Sequence, residues 1–139
     1  MIPGGHTGLI AALAAGPVCW ALMWLAGIRP QGQALSWWWL LQLVLLQPLL
    51  EEWLFRGNLQ PALKARFSGA GGRLFFSPEN LLTSALFAAL HLFYHPPLWA
   101  LLVFFPSLVF GWAMARYRHL LAPFALHAFY NAGYFLLFS

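Results

Sequence analysis

Long apolar runs alternate with short polar breaks along this chain, and the runs have the length of a bilayer. At about 20 residues per crossing, the pattern predicts five segments, at roughly 8–28, 35–55, 80–95, 97–115 and 120–138. The third is short and ends at His95-Pro96-Pro97, where two prolines force a reversal into the fourth. Between the second and third, NLQPALKARF sets Leu59, Leu63 and Phe67 at i, i+4 and i+8, with Lys64 and Arg66 off that line. This is the pattern of a short amphipathic helix lying on a membrane surface. GAGGR then reads as a flexible turn, and Ser77-Pro78-Glu79 reads as a helix start. Ser77 supplies the N-cap, Pro78 the first helical position and Glu79 an acid in the first turn. MIPGGHTG, ahead of the first run, has no basic stretch and no small-residue cleavage site, so that run is expected to be a retained helix. The expected fold is all-α, a polytopic integral membrane helix bundle. It has about five transmembrane helices plus one short interfacial helix, in a single membrane-embedded domain over 1–139.

Composition narrows the class. Of 139 residues 62% are hydrophobic and only 7% charged, where a soluble domain carries about 25% charged residues. The net charge of +4 is spread over seven basic residues between the runs. That spacing suits contact with lipid headgroups and gives no surface for nucleic acid, so the lipid bilayer is the expected partner. Arg56, Lys64, Arg66 and Arg73 lie in one loop, and Arg116 and Arg118 in another, whereas the opposite side has only Arg29. The bias places both richer loops in the cytoplasm, with the N-terminus inside and the C-terminus outside. Trp37, Trp38, Trp39 and Trp99 then mark the outer interface, and Trp53 and Trp112 the inner one. Cys19 has no cysteine to pair with.

The chemistry sits in the few polar groups inside the runs. Glu51 and Glu52 end the second run, in a chain whose one other acid is Glu79. A carboxylate beside LQLVLLQPLL must be held by something, because an unpaired charge there costs several kcal/mol. His91 lies in the third run, and His127 with Asn131 in the fifth. From the helical rise, Glu51 is about 8 Å inward of Arg56, His127 about 13 Å from Arg118 and His91 about 18 Å from Glu79. These groups therefore share one band nearer the cytoplasmic side.

Spacing assigns faces. Glu51 and Glu52 are about 100° apart on a helix, so one faces a given cavity. Glu52 and Arg56 stand at i and i+4 with the acid first, the favourable order for an ion pair. That pair makes Glu52 an anchor and leaves Glu51 to point inward. Phe87 and His91 share a face, as do His127 and Asn131. Pro48 removes a helix hydrogen bond near Val44, close to Glu51. Each group also has a plainer reading. A histidine in a bundle commonly packs, and a lone asparagine commonly bonds a neighbouring helix. His95 and His119 lie at helix ends and read as interfacial. His91 and His95 lack the H-E-x-x-H spacing of a zinc protease.

Taken in order, these residues resemble the CAAX-protease and bacteriocin-processing family (CPBP, also called ABI) of intramembrane proteases. Its E-E-x-x-x-R motif is matched by Glu51 to Arg56 with Gly57 following, its F-x-x-x-H motif by Phe87 to His91, and its H-x-x-x-N motif by His127 to Asn131. The similarity spans roughly residues 45–135, and the chain is shorter than the family's prenyl-protein proteases. The resemblance implies a bacterial inner (plasma) membrane enzyme that hydrolyses a peptide bond of a membrane protein or peptide. Expected substrates are prenylated-like, sorting-tail or bacteriocin-type. Glu51, helped by His91, would activate water, and His127 and Asn131 would donate to the oxyanion. Glu52, Arg56 and Phe87 would support them. No cofactor is expected; the alternative is zinc held by Glu51, His91 and His127. Two rival functions use the same cavity: a non-catalytic peptide-binding or bacteriocin-immunity protein, and a small proton-coupled carrier.

Overall fold

The computed structural model describes residues 5–32, 36–67 and 74–139. The turn expected at GAGGR lies outside them. The described residues form helices and turns, with no strand among them. The helices are α1 (Gly5–Leu25), α2 (Trp37–Leu41), α3 (Gln47–Glu52), α4 (Gln60–Arg66), α5 (Pro78–His91), α6 (Pro97–Leu102), α7 (Phe104–Tyr117) and α8 (Leu121–Phe138). Among the described residues three stretches are long and apolar enough to cross a membrane: Thr7–Leu25, Pro97–Tyr117 and Leu121–Phe138. The other two expected segments are helical as well. One of them, α5, has only 14 residues, and the other is divided by wide turns.

Those wide turns are π segments, in which backbone bonds reach five residues back. They occupy Gln42–Leu46 and Trp53–Leu59, so helical turns follow one another from 37 to 66 without a break. Each closes on the same dipeptide. Gln47 N–H bonds to the Gln42 carbonyl and Pro48 follows. Gln60 N–H bonds to the Phe55 carbonyl and Pro61 follows. A proline ring crowds the carbonyl four residues before it and brings no N–H, and a wider turn ahead of it relieves that crowding. Sequence reading placed a single missing bond near Val44 and a separate surface helix after Arg56. The helix is present as α4, joined through the second wide turn, and it buries Gln60 while Phe67 stays exposed.

Burial is arranged inside out. Trp37, Phe93 and Leu25 are 87%, 80% and 80% exposed, while Glu52, Arg56, Asn80, Thr83, Ser84 and Ser107 are fully buried. In water this distribution would be ruinous. In a bilayer the apolar surface is solvated by lipid and the polar groups must find partners inside. The chain is an integral membrane protein.

Two compact units divide it. One consists of Met1–Pro48 and Leu126–Ser139, the other of Leu49–Ala125. In the first, α1 and α8 approach closely through glycines. The Trp20 ring fills the place a side chain on Gly133 would take, and the Tyr130 ring comes within 3.1 Å of where a Cβ on Gly16 would sit. The Tyr130 hydroxyl donates to the Ala12 carbonyl, and Trp20 meets Phe129 at 5.4 Å between ring centroids. Small residues opposite large rings are how helices approach in lipid, where burial of apolar surface gives no driving force.

In the second unit, α5 packs along α7 beside α4. Ser77 takes the N-cap conformation with Pro78 next, and its carbonyl accepts the first bond, from Leu81 N–H at 3.0 Å. Its hydroxyl makes no cap bond, so the helix start is set by backbone and proline, not by the side chain expected to do it. Arg118 takes a left-handed conformation (φ 59°) that ends α7 and turns the chain into α8.

Candidate active site

Around the acids, the most ordered feature is a buried charge. Arg56 Nη1 donates to Glu52 Oε1 at 3.1 Å, and neither side chain is exposed. Arg56 Nη2 donates to the Ser107 carbonyl at 2.9 Å and to its hydroxyl. The guanidinium carbon stands 4.8 Å from the Phe87 ring centroid, 5.5 Å from that of Phe110 and 5.9 Å from that of Phe55. An arginine so placed is held by charge, hydrogen bonds and ring faces together, each stronger away from water.

Phe87 carries this order to His91. The two rings lie 4.5 Å apart, and His91 Nδ1 is 2.8 Å from the Phe87 carbonyl oxygen. A carbonyl only accepts, so Nδ1 bears the proton and Nε2 of the neutral ring is the acceptor nitrogen. Phe55 packs edge-on against Phe87 at 5.1 Å. His95 stacks on His91 with centroids 5.7 Å apart and planes 18° apart, and Trp99 covers His95 at 4.2 Å. His95 is exposed and belongs to the ring stack of His91. Glu51 is half-buried on α3, next to Glu52. Within the unit Leu49–Ala125, which holds Glu51, one run of contacts joins Glu52, Arg56, Phe87, His91 and His95.

A second polar seam went unread in the sequence. Gln60 Nε2 donates to the Gly111 carbonyl at 3.0 Å, while Asn80 Nδ2 donates to the carbonyls of Phe75 at 2.9 Å and Leu108 at 3.0 Å. A Cβ on Gly111 would stand 2.6 Å from Asn80 Cγ. The missing side chain at Gly111 is what lets both amides reach the α7 backbone. The recurrence of Glu52, Arg56 and Gln60 every fourth residue is the one sequence signal that pointed here.

His127 and Asn131 lie on α8 in the other unit. His127 is buried at 5% exposure. Asn131 Nδ2 donates to the Leu43 carbonyl at 2.9 Å, a backbone contact where the motif reading has it facing an oxyanion. Among the described residues no three His, Cys, Asp or Glu side chains gather as metal ligands.

A family model described as type II CAAX prenyl endopeptidase Rce1-like matches residues 33–133, which include all of these side chains. No curated protein and no solved structure matches the chain.

Proposed function

We propose that this chain, which belongs to the type II CAAX prenyl endopeptidase Rce1-like family, cuts its substrate with a water activated by Glu51 and His91. Membership makes it an intramembrane protease of the CAAX type acting on a membrane-associated protein. The observation that carries the finer reading is the hold of Phe87 on His91, by ring and by carbonyl, which presents Nε2 as the acceptor. Glu51 takes a proton from water as the oxygen attacks the scissile carbonyl carbon. The carbon–nitrogen bond then breaks, and the proton passes to the leaving amine. The third motif supplies His127 as oxyanion donor, a role worth about 3 kcal/mol in a dry site. Glu52 and Arg56 fix the helix that carries Glu51.

The substrate proposed is the C-terminal region of a membrane-anchored protein, of prenylated-like, sorting-tail or bacteriocin type. The site lies on the cytoplasmic side of a bacterial inner membrane, with the N-terminus inside. Expressing wild type and Glu51→Gln in the same cell and comparing membrane-protein termini by mass spectrometry tests this. A terminus made only by the wild type is expected. Identical termini from equally abundant proteins would overturn glutamate-dependent proteolysis.

A further inference from the structure

His91 is the last residue of α5, so its imidazole stands where the helix stops covering it. Side chains on a helix lean back toward its N-terminus, and Phe87, one turn earlier, meets the ring from that side at 4.5 Å. Beyond His91 the chain keeps one more bond in α register, from His95 N–H to the His91 carbonyl at 2.9 Å. That bond sets the His95 ring beside the His91 ring, with centroids 5.7 Å and planes 18° apart. His95 is exposed, so burial does not hold it. Trp99 does. Pro96 and Pro97 follow His95 directly, with φ fixed by their rings. Ala100 N–H then closes the first turn of α6 on the Pro96 carbonyl at 2.9 Å. In that turn the Trp99 ring lies 4.2 Å from His95 and 6.1 Å from His91, centroid to centroid. All of these residues belong to the unit Leu49–Ala125. We infer that His95 and Trp99 are positioning residues, an aromatic backstop that holds the His91 imidazole from the side Phe87 leaves open and keeps Nε2 aimed at the reacting water. The near-parallel planes make the contact one of ring faces, so His95 serves through its ring and not through its nitrogens.

This inference rests on His91 being the partner of Glu51 in activating water. Two readouts test it. In detergent, protein labelled with 15N at histidine reports how fast the His91 Nδ1–H exchanges with water, the signal being assigned by its loss in His91→Gln. His95→Ala and Trp99→Leu should each speed that exchange by roughly tenfold, the scale lost with an orienting partner. His95→Phe keeps a ring and removes both nitrogens, and should hold the exchange near the wild-type rate. Turnover of the membrane protein whose terminus the wild type alone generates should follow the same order. There kcat falls roughly tenfold in His95→Ala and Trp99→Leu with KM little changed, and most of it returns in His95→Phe. Both residues act on one ring, so the double variant should be little worse than either single one. His95→Phe as impaired as His95→Ala would assign the work to the nitrogens and overturn the inference. Unchanged exchange in Trp99→Leu, or a loss confined to KM, would overturn it as well. Full cleavage by His91→Gln would sink the underlying reading of His91, while the exchange rates would still report whether the stack holds the ring.

Discussion

The ring of Phe87 stands between a cation and an imidazole, 4.8 Å from the Arg56 guanidinium and 4.5 Å from the His91 ring. Arg56 is fixed in turn by Glu52 and Ser107. The orientation of His91 is thus set by a chain of contacts that starts at a buried ion pair.

Replacing Arg56 alone should be costly. Arg56→Met leaves Glu52 buried without its cation, which typically destabilises by about 3–5 kcal/mol. Adding Glu52→Gln should recover much of the loss, since a buried pair removed whole is often close to neutral. Unfolding midpoints of the two variants in the same detergent measure the difference.

Phe87→Leu separates stability from chemistry. The swap keeps an apolar side chain at a position only 2% exposed, so its stability cost should be modest, about 1–2 kcal/mol. It removes the ring face that meets both Arg56 and His91, and kcat should fall more than tenfold, in the range typical of orienting partners. Retention of full kcat would show that the backbone carbonyl suffices to orient His91.

Gly111→Ala should destabilise by about 1–3 kcal/mol or more, because the new methyl meets Asn80 within the α5–α7 seam. Asn80→Ala in the same chain frees that space, so the penalties of the two changes should not add. Thermal unfolding of the single and double variants tests this.

Chelation addresses the chemistry of the water. With Glu51 and His91 as the activating pair, cleavage should survive dialysis against a strong chelator, and the purified protein should hold zinc well below one per chain. Loss of cleavage, restored by added zinc, would replace the glutamate reading with a metal-bound water.

Much of this organisation was legible in residue order, and the gaps have physical causes. Glu52 and Arg56 stood out because an acid and a base four apart inside an apolar run have almost no alternative to pairing, and they pair. Phe87 and His91 were placed together by helical spacing, and their rings touch. Gln60 and Asn80 were passed over because polar residues near a helix end look like solvated ones. What buries them is Gly111, distant in sequence. The contact of Trp99 with His95 was not legible, because two prolines interrupt the chain between them.

A π turn carries one residue more than the α turn it replaces. The two wide turns are therefore the points at which the 37–66 stretch can lose a residue while the flanking α-helical faces keep their heading. An insertion or deletion inside α3, which carries both glutamates, has no such outlet. Length variation among related chains is to be sought at Gln42–Leu46 and Trp53–Leu59, with the six residues between them invariant in number.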